Sequence, residues 1–355
     1  MACEVSWFAP LCDEDFEFLG VRDAGLLSSW EHCRGIALRA DEAGFDNMLL
    51  PSNYMTGIDS VAFAAGIAPE LRRLQLLVAV RMAELWPPQL ARQLATIDEM
   101  LGGRLTINII SSDLPGQQLE SAPRYRRTLE IMRVLRDLLD GKPVDARGEF
   151  VDLALDPPRI QPAGGCPPFY FGGLSEAARD VAAQAADVYL TWPDTLPAVE
   201  AIVTDMRRRA ARYDRQLRFG YRVHVIVRET EEAARAAARR LVSRLDDETG
   251  RRLRNQSLHP TSTGQQRQGE LRDLADTEGF VEPNLWTGIG RARSGAGAAI
   301  VGDPDQVVAK LRAYADLGIE AFILSGYPHA AECDLFARHV LPRLDHGPLL
   351  PRVTG

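Results

Sequence analysis

RFGYRVHVIVR, from Arg218 to Arg228, alternates in a way that only an extended chain can use. A two-residue period sends Tyr221, Val223, Val225 and Val227 to one face and Arg222, His224 and Ile226 to the other. In a surface strand Arg222 and His224 face water. In a strand buried on both faces, which the β-branched content favours, a cation and an imidazole stand in apolar surroundings and require anionic or hydrogen-bonding partners. A bound substrate or cofactor is one candidate partner, and the flanking sequence has to decide.

Working outward, strands and helices alternate. Glu4 to Ala9, Asn47 to Leu50, Leu74 to Arg81, Arg104 to Ile110, Pro168 to Gly173, Asp187 to Trp192 and Ala321 to Ser325 read as further strands. Helical patterns lie between them, as at Ser29 to Ala43, Pro87 to Leu101 with proline in the first turn, and Arg124 to Leu139. Eight strands apolar on both faces predict a parallel sheet closed into a (β/α)8 TIM barrel rather than an open one. The rhythm fails only at about 246–303, a polar, arginine-bearing and glycine-rich stretch. A structureless connection of that length is uncommon inside a domain, so it reads as a late insertion, with some helix and a mobile lid, on a single domain spanning 1–355.

With 355 residues, 46% of them hydrophobic, the chain can build a large core. A formal charge of −8 argues against nucleic acid, whose phosphates call for clustered positive charge. The five cysteines show no metal-type or CxxC spacing and their number is odd, so free thiols are expected. There is no signal-peptide pattern and no long apolar run, which predicts a cytoplasmic chain with no membrane partner. HExxH, GxSxG and spaced His/Cys clusters are missing, so no metal site is expected.

A barrel of this kind keeps its chemistry at the C-terminal ends of its strands. Asn108, Gly172, Gly173, Ser175, Trp192, Arg222, His224, Tyr327 and His329 fall there. Gly172 and Gly173 ahead of a helix bare backbone N–H groups to an anion, to which Ser175 adds a donor; the same residues also suit a turn and a helix N-cap. Arg293, in the RSGAG segment Arg293 to Gly297, belongs to either a hinge or a binding loop.

YFGG (Tyr170 to Gly173), VYLTW (Val188 to Trp192), RFGYRVHVIVRET (Arg218 to Thr230), NLWTGIGRARSGAG (Asn284 to Gly297) and SGYPH (Ser325 to His329) together closely resemble the flavin-dependent alkanesulfonate monooxygenases of the bacterial luciferase-like superfamily. The likeness runs collinearly along nearly the whole chain and is strongest from about Pro168 onward. It implies a (β/α)8 barrel that takes reduced FMN (FMNH2) from a separate NAD(P)H-dependent FMN reductase and reacts it with O2 to a flavin peroxide. One oxygen atom then enters a small-molecule substrate; in alkanesulfonates the carbon–sulfur bond is cleaved to aldehyde and sulfite. Carried over by position, the likeness gives Arg222, His224, Tyr327 and Arg293 catalytic roles, and Trp192 and His329 a place against the substrate. Asn108, Tyr125, Gly172, Gly173 and Ser175 correspond to flavin contacts. A homodimer or homotetramer is also implied.

The departures gather at the substrate end. After the first strand, where the sulfonate enzymes carry a histidine, this chain reads PLCDEDFEFLG, with Asp13, Glu14, Asp15 and Glu17; the stretches at 52–60 and 111–118 differ as well. Carboxylates facing the pocket repel a sulfonate and welcome an amine, whereas carboxylates facing water do neither. The residues therefore leave open an alkanesulfonate or related compound, oxygenation or N-hydroxylation of another metabolite, and a deazaflavin (F420) dependent oxidoreductase of the same superfamily.

Overall fold

Eight parallel strands close into a ring in the computed structural model, which describes residues 2–254, 262–293 and 295–349. They are β1 (Glu4–Phe8), β2 (Asn47–Leu50), β3 (Gln75–Arg81), β4 (Leu105–Ile110), β5 (Phe169–Gly172), β6 (Val188–Thr191), β7 (Arg218–Val227) and β8 (Ala321–Ser325). Each pairs with the next, and β8 returns to β1 with Phe322 opposite Val5. All eight are the strands expected from the sequence, and the architecture is a (β/α)8 barrel. Parallel strands covered by helices are buried on both faces, and β7 is buried from Phe219 to Val227, which removes the surface-strand reading of Arg222 and His224. Among the described residues no helix is long and apolar enough to cross a membrane.

The N-terminal end of the ring is sealed. Glu4 is fully buried, and its carboxyl accepts from Ser6, Asn47 and Tyr170 and from the Leu349 backbone, while Arg218 holds the Leu349 carbonyl at 2.6 Å. Burial raises the Glu4 carboxyl above its ordinary range. Phe8, Leu49, Leu77, Tyr170, Val188 and Ile323 fill the interior above this floor, and the ring opens into a cavity at its other end.

β7 is ten residues long and outruns the ring. Its first half pairs with β6 and β8, whereas His224 to Val227 pair with a parallel strand at Ala299–Gly302. Two short antiparallel strands, Leu285–Trp286 and Phe280–Glu282, extend that edge. These lie in the insertion, together with helices Asp247–Arg254 and Thr263–Asp273. Strands of two to four residues are too short for a period to register, which is why the sequence showed only helix there. The parts of the expected insertion at 255–261, and Ser294 of the RSGAG segment, lie outside the described residues. The insertion is anchored on the rim: Arg267 meets the Asp194 carboxylate at 2.7 and 2.8 Å, and Lys310 meets Glu282 at 2.7 Å.

Candidate active site

The open C-terminal end holds a cavity of about 1470 Å³. That exceeds the roughly 300–1,000 Å³ of an ordinary small-molecule site, so a cofactor and a substrate fit side by side. Nine of the residues singled out from the sequence line it: Asn108, Tyr125, Gly172, Gly173, Ser175, Trp192, Arg222, Arg293 and Tyr327. His224 and His329 do not. Both are fully buried behind Tyr327, whose ring stacks on His224 at 5.1 Å and meets His329 edge-on at 5.1 Å.

One end of the cavity is a backbone cradle. Gly173 has φ +151°, and a Cβ there would lie 2.6 Å from the Cβ of Ala178 and 3.5 Å from the Tyr125 hydroxyl. Only glycine fits. The Tyr189 hydroxyl donates to the Gly173 carbonyl at 2.7 Å and fixes this peptide, a support that sequence reasoning missed because Tyr189 reads as one apolar residue in a strand. Ser175 caps the helix Glu176–Ala185 by accepting from the Ala178 N–H, so the cap reading holds, and the helix N-terminus still faces the cavity. A helix N-terminus, a glycine without a Cβ and the Tyr125 hydroxyl form a fitting cradle for a phosphate.

The other end is cationic. Arg222 is 5% exposed and donates to the carbonyls of Val223 and Ile323 and, at 2.7 Å, to the Ser325 hydroxyl. Its guanidinium lies 4.5 Å over the Phe8 ring. Among the described residues no carboxylate comes within ion-pair distance of it. Burial and the nearby Arg293 push Arg222 down to about 9, which leaves it a cation at neutral pH. Ser325 also contacts His224 Nδ1 at 2.7 Å, while His224 Nε2 lies 3.1 Å from the Ala296 carbonyl of the insertion. Burial, then the charges of Arg222 and Arg293, hold His224 well below the usual imidazole range. It is therefore neutral, with Nε2–H donating to Ala296 and Nδ1 accepting from Ser325.

The acidic loop faces the cavity, with Asp13, Glu14, Asp15 and Phe16 in its wall. Its carboxylates have partners. Glu14 accepts from Arg293 Nη2 at 2.9 Å, and Arg293 Nη1 donates to the Tyr327 hydroxyl at 2.9 Å. Asp15 accepts from the backbone N–H of His329 and lies 2.9 Å from both His329 Nδ1 and His32 Nε2. Burial opposes its ionisation, yet the two histidines and the backbone N–H hold it well below the usual carboxylate range. Glu17 instead pairs at the surface with Arg240. No sequence signal joins Glu14 to Arg293, because the fold alone brings residues this distant together.

The insertion covers one side of the mouth. Trp192 stands beside Gly264 and Gly295, where a Cβ would come within 3.0 and 3.8 Å of its ring. Gln268 donates to the Pro193 carbonyl and accepts from the Gly297 N–H, which ties the insertion helix to its own glycine segment.

A family model for luciferase-like monooxygenases matches residues 16–321. A sulfoquinovose monooxygenase of Novosphingobium aromaticivorans is 63% identical over 355 residues, covering 98% of each chain. One of Agrobacterium fabrum is 48% identical over 346 residues, covering 97% of this chain and 90% of the other. Among solved structures, riboflavin lyase crystallised with modified FMN and riboflavin superposes with a TM-score of 0.80 at 15% identity, over 97% of this chain and 91% of that one.

Proposed function

The chain belongs to the luciferase-like monooxygenase family, and from that premise we propose that it is a reduced-FMN-dependent monooxygenase that removes the sulfonate group of sulfoquinovose or a similar sugar sulfonate. The observation that carries the substrate class is Arg222, a buried cation at the cavity wall that has no carboxylate partner among the described residues. A buried charge of this kind is costly until an anion arrives. The acidic loop does face the cavity, the case in which free carboxylates repel a sulfonate, but it is compatible with one because Glu14 and Asp15 are already engaged by Arg293, His329 and His32. The two relatives act, by their names, on a sulfonated sugar rather than on a simple alkanesulfonate.

The cradle at Gly173, Ser175 and Tyr125 suits the phosphate of FMN, and Asn108, on the neighbouring strand β4, lines the same cavity where the ring system would rest. Reduced FMN, delivered by a partner reductase, supplies the activation of O2 in this reading. The chain supplies the rest. Arg222 binds the sulfonate, and Ser325 and neutral His224 hold its guanidinium in place. Arg293 and the Tyr327 hydroxyl flank the same anion, with Tyr327 positioned to hold or pass a proton at its phenolic oxygen. Trp192 and the insertion act as a lid that keeps water from the reacting atoms.

The test supplies reduced FMN and O2 to the purified protein with sulfoquinovose, and separately with a linear alkanesulfonate, and measures released sulfite. Sulfite from sulfoquinovose, at a clearly higher kcat/KM than from the alkanesulfonate, is the expected result. Oxygen uptake without sulfite from either compound would sink the substrate reading, and no response to reduced FMN would sink the cofactor reading.

A further inference from the structure

We infer that Glu14 sets the ligand charge this site accepts, admitting a monoanionic sulfonate and turning away the dianionic phosphate ester of the same sugar. The inference rests on the sulfonate reading above. A sulfonate and a phosphate monoester present the same tetrahedral group of three oxygens, so shape separates them poorly. Charge separates them well: the sulfonate carries one negative charge, the phosphate about −1.5 to −2 near neutral pH.

The groups around Arg222 add up to one positive charge. Arg222 and Arg293 each contribute one, Glu14 removes one, and His224 is neutral. Asp15 is engaged away from this group, by the His329 backbone N–H and the rings of His329 and His32. The other charged residues in the wall pair among themselves or with neighbours, Asp13 with Arg22, Arg124 with Asp113 and the buried Arg81 with Glu84, while Glu120 and Arg252 are exposed. Arg293 is not exhausted by its partners: Nη1 and Nη2 are taken by Tyr327 and Glu14, but Nε is buried and among the described residues meets no hydrogen-bond partner, leaving a donor for a ligand oxygen. A single anionic charge completes this arrangement. A second charge meets the Glu14 carboxylate, while Arg81 and Arg124, further cations of the wall, are already paired with Glu84 and Asp113; this repulsion disfavours the wrong ligand without improving contacts to the right one.

Glu14→Gln removes the charge but keeps a carbonyl oxygen for Arg293, and Glu14→Asp keeps the charge. The wild type and both variants are titrated by calorimetry with sulfoquinovose and with glucose 6-phosphate, anaerobically, with reduced FMN present, at pH 8 and fixed ionic strength. In Glu14→Gln the loss of one repulsion counts twice for the dianion, so the ratio of phosphate to sulfonate affinity should rise on the order of tenfold, while Glu14→Asp stays near the wild-type ratio. An unchanged ratio in Glu14→Gln, whether both affinities hold or both fall together, overturns the inference and leaves Glu14 as a support for Arg293. If the wild type binds no sulfoquinovose at all, the sulfonate reading itself fails.

Discussion

Arg222 and His224 share one hydroxyl: Ser325 Oγ lies 2.7 Å from Arg222 Nη2 and 2.7 Å from His224 Nδ1. The two residues are neighbours on one face of β7, and β8 inserts its last residue between their polar ends. Ser325→Ala takes an acceptor from the cation and a donor from the imidazole at once. Buried groups left without partners cost on the order of 1–3 kcal/mol, so a stability loss of that size is expected from chemical denaturation. Sulfoquinovose affinity should fall roughly tenfold as the guanidinium loosens, while binding of reduced FMN holds. Equal weakening of both ligands would show that the serine supports the whole mouth rather than the anion end.

Removing the buried cation separates function from stability. Arg222→Met deletes an uncompensated buried charge and fills its volume with an apolar chain, which is often neutral or favourable for folding. Stability within about 1 kcal/mol of the wild type is expected, along with a loss of sulfonate affinity on the order of a hundredfold. A collapse of the fold would mean that the Arg222 hydrogen bonds to Val223, Ile323 and Ser325 outweigh its burial cost.

These two sites mark how far the sequence was legible. All eight ring strands could be read because each is a run apolar on both faces, and the alternation in Arg218 to Arg228 put Arg222 and His224 on one face, where they are found. Nine of the eleven expected site residues line one cavity, since strand-end position is a local property. His224 and His329 share that position yet lie behind Tyr327, because depth depends on the neighbouring strand. The direction of the acidic loop was equally out of reach: it turns inward where Arg293 and the His329 backbone N–H, separated from it by 279 and 314 residues, supply partners for its carboxylates.

At the cradle, Gly173→Ala should be costly twice over. The backbone at φ +151° lies in a region that is essentially glycine's alone, and the new methyl would press on Ala178 at 2.6 Å. A stability loss of about 1–3 kcal/mol is expected. Affinity for reduced FMN should fall on the order of tenfold as the Gly173 N–H turns away, with sulfoquinovose affinity spared. Anaerobic fluorescence titration reads the first and calorimetry the second; a variant that binds FMN like the wild type would remove Gly173 from the cofactor site.

The buried imidazole also ties stability to pH. His224 is held well below the ordinary histidine value in the fold, whereas in the unfolded chain it titrates near 6.5. Between those values the unfolded chain binds a proton that the native state does not, so the contribution is complete above about pH 6.5 and is lost as pH falls below it, by up to about 1.4 kcal/mol per pH unit. Asp15, depressed in the fold, acts in the same sense but only below about pH 4. Glu4, Asp46, Asp98 and Glu332, all raised by burial, work the other way and stabilise the fold as the pH drops. The informative quantity is therefore a difference. Denaturant unfolding of the wild type and of His224→Gln at half-unit steps from pH 7.5 to 5 should give curves that run parallel above pH 6.5 and separate below it, with the wild type losing the extra stability. A constant difference across the range would mean that the folded protein accepts the proton at His224, and that the contact to the Ala296 carbonyl is made by an imidazolium.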